Sequence, residues 1–402
     1  MADELLAYSI SSLARVDAAA WDSCACADDN PFVSHAFLLA LEETGCVGRA
    51  SGWSPCHVIV EDARKRLVSC APVYRKAHSL GEYVFDQNWA QAFERAGGRY
   101  YPKLLVAAPF TPVTGRRLLM APDAPPGAQA SLVAALRGLR ETTGASSLHV
   151  NFPIVSEVQT LGDAGFILRA GEQFHFINEG YQTFEDFLDA LSARKRKSIR
   201  RERREALGDD IIIERLTGDE ITSDHWDAFY AFYMDTGARK WGRPYLTRDF
   251  FDAIGATMSK RILLVIARQD GRPVAGAINF IGREAIYGRN WGALIERPFL
   301  HFEVCYYQAI EHALLYGYQR VEAGAQGEHK LARGYRPVLT WSAHEFADPG
   351  LAAAVRDFCR RERGALAAVM AGQERELPFR KDQAQALPPD EGLTQADGQT
   401  EK

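Results

Sequence analysis

The chain has no long apolar run. Nowhere in its 402 residues does an apolar run approach the length that a membrane-spanning helix needs. The opening, M-A-D-E-L-L-A-Y, has neither a basic n-region nor an apolar core, so no secretory signal is expected and the cytoplasm is the default compartment. Cysteine is sparse and unorganised. There are seven, an odd number, and only Cys24 and Cys26 stand close together, as C-x-C without a second pair, which supports neither a disulfide framework nor a zinc site. No H-E-x-x-H spacing is present either, so no metal is expected. Positive charge is not in excess: 47 Lys and Arg against 52 Asp and Glu leave a net charge of -5, which argues against bulk nucleic-acid binding but allows a local basic patch. With 47% hydrophobic and 25% charged residues, the composition is that of a globular protein long enough for two or three cored domains.

Within that ordinary composition the chain repeats itself. Trp21-Asp22 is matched by Trp226-Asp227, each on an expected first helix. Asn30 to Ser34 with Phe37 resembles Arg243 to Thr247 with Phe250, in both cases a Pro turn leading to a Ser or Thr that can cap the next helix. The segment from His57 to Tyr74 aligns without a gap on Leu263 to Phe280, and both read as β-hairpins. A third strand, Val84 to Trp89, is expected to match Ile286 to Trp291, with Tyr100-Tyr101 matching Tyr306-Tyr307, and Gly165-Phe166 with His175 matching Gly334-Tyr335 with His344. Each copy reads strand, two helices, three-strand meander, helix, strand, helix, strand. The expected organisation is a first unit over 1–180, a linker helix over 181–208, a second unit over 209–376, and a polar, Pro-containing disordered tail over 377–402.

The linker is expected to be one helix from Thr183 to Leu207, opened by a capping box of Thr183 and Asp186. Eight of the eleven residues from Arg194 to Arg204 are Lys or Arg. Arg196, Arg200 and Arg204 recur at i,i+4 on one stripe, where like charges destabilise a helix, so a partner of opposite sign, phosphate first among them, competes with a plain solvated face. The densest reactive chemistry lies further on, in E-A-G-A-Q-G-E-H-K-L-A-R-G-Y-R-P-V-L-T-W from Glu322 to Trp341. A strand over 319–323 runs into a Gly-x-x-Gly turn at Gly324 and Gly327. Glu328, His329, Lys330 and Arg333 then follow on a short helical segment, with Gly334 as its C-cap and Pro337 preventing its resumption. The first copy has V-Q-T-L-G-D-A at the corresponding place, without His, Lys or Arg. One copy is therefore expected to carry chemistry and the other to serve as scaffold.

These residues resemble a known family. The element order in each copy is that of the GNAT acyltransferase fold, and two such units joined by a basic helix resemble the FemAB-type aminoacyltransferases. R-K-R-K-S-I-R (Arg194 to Arg200) is similar to a basic R-x-x-I-R element of that group. L-H-F-E-V-C-Y-Y-Q-A-I-E-H-A (Leu300 to Ala313) and the segment from Glu322 to Val338 resemble the FemAB-like N-acyltransferases of the peptidoglycan biosynthesis/recognition type. The resemblance implies a mixed α/β fold of tandem GNAT-like units, each built on a mixed, mostly antiparallel sheet. It also implies transfer of an acyl or aminoacyl group from an activated carrier to an amine, with a cell-wall precursor as one acceptor and a lipid amine such as a long-chain base as another. A non-catalytic glycan- or peptide-recognition protein on the same fold is the competing class. The chain departs from acetyl-CoA-dependent relatives in one respect: Gly292 to Pro298 lacks the Gly-rich R/Q-x-x-G-x-G/A loop that cradles a pyrophosphate, which leaves acyl-CoA, acyl carrier protein and aminoacyl-tRNA all as candidate donors, the last two through the basic helix.

On this resemblance the acyl group enters where the strand carrying Tyr287 to Trp291 parts from that over 319–323. Glu328 or His329 is the expected base, Lys330 and Arg333 bind oxyanion or donor phosphate, and Tyr335 is the acid. Asn290, Trp291, His301, Glu303 and Glu322 are expected to line the site, with Glu311 and His312 further along the same helix. Lys240, Trp241 and Arg243 form a basic-aromatic turn that can close over it, and Arg196 and Arg200 bind the donor.

Overall fold

In the computed structural model, residues 5–26, 29–240, 244–324 and 327–380 are described, the side chains of Lys240 and Glu328 apart. The first unit runs β1 (Leu6–Ile10), α1 (Ala18–Ala25), α2 (His35–Glu43), β2 (Trp53–Pro55), β3 (His57–Glu61), β4 (Leu67–Ala71), β5 (Val73–Lys76), α3 (Gln87–Arg95), β6 (Lys103–Val106), β7 (Leu119–Met120), α4 (Ala128–Thr142), β8 (Ser147–Asn151), α5 (Val155–Asp163) and β9 (Ile167–Ile177). The linker holds α6 (Phe184–Ala190) and α7 (Ala193–Leu207). The second unit runs β10 (Ile211–Thr217), α8 (Ser223–Lys240), α9 (Arg248–Met258), β11 (Ile262–Gln269), β12 (Arg272–Ile281), β13 (Ala285–Ala293), and then a helix of three parts: α10 (Leu300–Phe302), a π turn (Glu303–Tyr307) and α11 (Gln308–Tyr316). It closes with β14 (Arg320–Glu322), a 3-10 segment (Glu328–Arg333), β15 (Arg336–Phe346) and α12 (Pro349–Arg375).

The repeat is present as a hairpin in each unit, but not without a gap: Val58 pairs with Ala71, whereas its counterpart Leu264 pairs with Ile278 and not with Ala277, so the second strands are offset by one residue, and each ladder has an irregularity before its turn. The two last strands pair with each other, and Gly171 faces Thr340, its own counterpart when Gly165 is set on Gly334. A pseudo-twofold axis therefore passes through this pair. The strands of both units join one sheet in the order β10-β11-β12-β13-β14-β9-β15-β8-β6-β5-β2, with β1-β3-β4-β7 as a separate four-stranded sheet. Because β9 lies between β14 and β15, and β15 between β9 and β8, each unit inserts its final strand beside the other's penultimate one. One apolar core, including Trp21, Phe32, Phe37, Trp226, Phe250 and Phe280, spans both units where α2 meets α9.

Four further expectations are corrected. Val84 to Trp89 is not a strand: Gln87 starts α3, which puts Trp89 and Ala90 into the interior, and the counterpart of β13 is β6. Tyr100 and Tyr101 precede a strand, whereas Tyr306 and Tyr307 lie in the π turn, so those pairs are not equivalent. The linker is two helices rather than one. The capping box of Thr183 and Asp186 forms as expected, but the backbone breaks at Leu191–Ser192, where Leu191 bridges to Phe379 and the Ser192 N–H donates to the Pro378 carbonyl. The same bridge removes 377–380 from the disordered tail, since Phe379 is buried against the second unit's core and the Arg380 N–H donates to the Ala190 carbonyl. Among the described residues no helix is long and apolar enough to cross a membrane.

Candidate functional site

The site forms where β13 and β14 part. They pair in parallel only over Ala285 to Tyr287 against Arg320 to Glu322, after which β13 continues along β12 while β14 stops. Beyond β14 the chain turns through Gly324 and Gly327, both at positive φ, and a Cβ on Gly327 would stand 2.5 Å from His329 Cε1. Only glycine lets the turn fold His329 back over itself. The residues that follow form a 3-10 segment that ends at Gly334, in the left-handed region as the sequence predicts.

The side chains of this segment divide into an exposed and a buried set. His329 is exposed at the rim, with Nε2 3.0 Å from the Tyr306 hydroxyl, and partial burial together with Arg333 and Lys330 pushes its pKa down, so the ring is neutral at neutral pH. Lys330 is 1% exposed and donates to the Gly324 carbonyl at 2.9 Å; burial pulls its pKa down to about 8. Tyr335 is fully buried, its hydroxyl has no hydrogen-bond partner among the described residues, and burial raises its pKa well above the usual phenol value. Arg333 donates to the His329 carbonyl (2.7 Å) and to Glu202 (2.9 Å) and lies 3.3 Å above the Phe302 ring, while its Nε has no partner among the described residues.

The helix after β13 supplies the opposite wall. The ring of Trp291 is 4.5 Å from His301, His301 is 5.2 Å from Tyr306, and Phe302 is 5.5 Å from His329. The π turn brings residues five apart into register, so Gln308 donates to Glu303 at 2.7 Å. Glu303 is fully buried, and a two-pronged bond from Arg203 of α7 (2.9 and 2.8 Å) occupies it, which makes it a tie between linker and helix rather than a lining group. Glu311 takes another Arg203 nitrogen at 2.5 Å, and His312 is buried.

The structure thus gathers Trp291, His301, His329, Lys330, Arg333 and Tyr335. Asn290 faces away from Trp291, into a crevice between the units with Phe110, Phe280 and Arg289. Glu322 is buried on β14, accepting from Arg320 at 2.9 Å and standing 3.7 Å from His175. Arg196 bonds Asp189 at 2.6 Å and Arg200 bonds Glu185, all on the linker. Trp241 and Arg243, with the side chains of Lys240 and Glu328, fall outside the described residues. Sequence reasoning missed Tyr306, Tyr307 and Glu202. Glu202 accepts from both Tyr307 (2.6 Å) and Arg333, and its one sequence signal is that it is the sole acid between Arg194 and Arg204.

Among solved structures, FemX aligns with a TM-score of 0.54 at 11% identity, over 88% of this chain and 100% of that one. The C-terminal domain of a putative lysylphosphatidylglycerol synthetase from Agrobacterium fabrum aligns with a TM-score of 0.52 at 12% identity, over 86% and 96%. A tandem GNAT protein from the clavulanic acid biosynthesis pathway aligns with a TM-score of 0.46 at 12% identity, over 86% and 99%. At these identities the likeness is one of fold. Comparison with curated protein sequences returns no match. The FemAB-like family model, described as peptidoglycan biosynthesis/recognition, matches residues 12–381, and the chain belongs to that family.

Proposed function

We propose that this protein is an N-acyltransferase whose chemistry lies in the second unit, with His329 as the base that takes the proton from an acceptor amine. One comparison carries this reading. When Gly165 is set on Gly334, Lys330 falls on Leu161, which is fully buried, and Tyr335 falls on Phe166. The fold fills these positions with apolar side chains in one unit. In the other it buries an amine and a phenol there, at a cost little offset among the described residues, where the phenol has no hydrogen bond and the amine one. Unused hydrogen-bonding capacity at the mouth of parted strands suits a substrate carbonyl.

In this reading Lys330 stabilises the oxyanion, and Arg333, held by Glu202 and Phe302, fixes the backbone of His329 rather than donor phosphate. The turn from Gly292 to Pro298 is pinned by Arg297, which bonds the Glu205 carbonyl of the linker at 3.3 Å and Asp210, just before β10, at 2.9 Å, so it offers no free loop to wrap a pyrophosphate. An acyl carrier other than CoA held in the usual loop is the favoured donor. Arg196 and Arg200, already paired, play no part. The test is to incubate the purified protein with acyl-CoA, acyl carrier protein and aminoacyl-tRNA donors against cell-wall precursor amines and long-chain bases, with products read by mass spectrometry. His329→Ala should lower turnover by roughly two to four powers of ten, least at high pH where the amine deprotonates unaided. Lys330→Met should lower it by roughly two to three powers of ten at every pH. Folded variants with wild-type turnover would overturn the assignment, and saturable amine binding without turnover from any donor would favour a recognition protein.

A further inference from the structure

The linker helix α7 has two faces of opposite character. Its inner face carries Ile199, Glu202, Arg203 and Ala206, which bind it to the wall of the candidate site. Its outer face carries Arg194, Lys197, Arg201 and Arg204, all exposed. Spacings of three, four and three residues put these four on one straight stripe of about 15 Å. Neighbouring acids do not neutralise it: Glu205 reaches only Arg201, at 3.6 Å, while Asp189 and Glu185 of α6 are taken by Arg196 and Arg200 further round the helix. Arg194, Lys197 and Arg204 make no ion pair among the described residues. Four cations in line cost an isolated helix stability, and the inner face alone would hold α7 in place.

We propose that the outer face of α7 docks this protein on an anionic lipid surface. The shape and make-up of the stripe favour a bilayer over a nucleic acid: it is straight, and α7 contains no aromatic side chain on which a base could stack. The net charge of -5 on the whole chain confines such attraction to this patch. Docking there would bring the parted ends of β13 and β14, one helix layer behind the stripe, close to a membrane-held amine or acyl group. The inference concerns binding only, and it stands whether or not the catalytic reading does.

The experiment is sedimentation of the full chain with vesicles of phosphatidylglycerol and phosphatidylcholine in equal parts, and with phosphatidylcholine alone. The protein should pellet with the first and not the second. At roughly fivefold per cation, R194Q/K197Q/R201Q/R204Q should weaken partitioning by about several hundredfold, and R194K/R201K/R204K should preserve it. If the glutamine variant does not fold, single substitutions, each costing about fivefold, serve instead. No partitioning of the wild type, equal partitioning of the glutamine variant, or displacement from the vesicles by a folded RNA at physiological salt would overturn the proposal.

Discussion

At the end of β8 in the first unit and of β14 in the second, two equivalent carbonyls meet different chemistry. Pairing across the pseudo-twofold sets Asn151 on Gly324. In the first unit the Asn151 carbonyl accepts from Arg117 Nε at 2.8 Å, and the other two nitrogens of that fully buried guanidinium donate to the carbonyls of Val113 (2.6 Å) and Arg116 (2.9 Å). Glu157, beside it, accepts the N–H groups of Arg117 and Leu118. The strand end is sealed by the chain's own inserted segment. In the second unit, among the described residues, the Gly324 carbonyl accepts from Lys330, and the buried Tyr335 hydroxyl has no hydrogen-bond partner. A buried cation on that carbonyl is thus common to both units. What distinguishes them is the kind of capacity left over among the described residues: in the first unit an acceptor, the buried side-chain oxygen of Asn151, and in the second the Tyr335 phenol, which can donate.

The comparison can be broken by exchanging residues between its two sides. Leu161→Lys would bury an amine where Arg117 has already taken the carbonyl, and it should cost about 3 kcal/mol or more in urea unfolding. Lys330→Met leaves one carbonyl unpaired and should cost about 1–3 kcal/mol. Equal costs would mean that the first unit accommodates a buried donor as readily as the second, and the contrast would fall.

The same axis relates His149–His344 to Glu322–His175, and this pair sharpens the comparison through pH. His149 Nδ1 stands 2.7 Å from His344 Nδ1, with Ser147 and Ser342 at their far nitrogens, all buried. Burial, with Lys103 nearby, pushes His149 down to about 3, and burial with His149 pushes His344 down as well. A depressed folded pKa means that the unfolded chain binds the proton first, so this stability is present above about pH 6.5 and is lost as pH falls toward the folded value. Relative to His149→Gln, the wild type should lose about 2 kcal/mol between pH 6.5 and pH 5. Taking the difference matters, because burial raises Glu157 to about 7 and gives it the opposite slope. Parallel pH curves for the two proteins would show that His149 is not held neutral. The smallest effect is expected for Arg196→Ala with Arg200→Ala, within about 1 kcal/mol, because their partners Asp189 and Glu185 are largely exposed. A larger loss would mean that the linker is held by these pairs and not by Arg203 and Glu202.

Much of this was legible in advance where local pattern and tertiary use agree. The hairpins, the capping box at Thr183 and the Gly324, Gly327 and Gly334 punctuation each rest on neighbours in the chain, and each is present. Val84 to Trp89 misled because V-F-D-Q-N-W resembles I-Y-G-R-N-W at 286–291 in letters only: its run of Asp, Gln and Asn opens a helix, and the burial of Trp89 fixes that helix in place. The break at Leu191 depends on Phe379, far along the chain, which no window over the linker contains. Within the site, His329, Lys330 and Arg333 stood out by composition. Glu202 and Tyr307 did not, because their value lies in meeting Arg333 across the linker, and Glu303 looked available only because Arg203 was not yet beside it.

The exchanged final strands bear on how the molecule comes to exist. While the second half is still being synthesised, β9 has neither β14 nor β15 to pair with, and β8 lacks the neighbour that β15 will become. The first unit waits with open edges, which are the features that invite misassembly, until the last strand leaves the ribosome. A gene cut at the linker should therefore yield two fragments that are poorly soluble alone and recover only when made together, each lending the other its last strand.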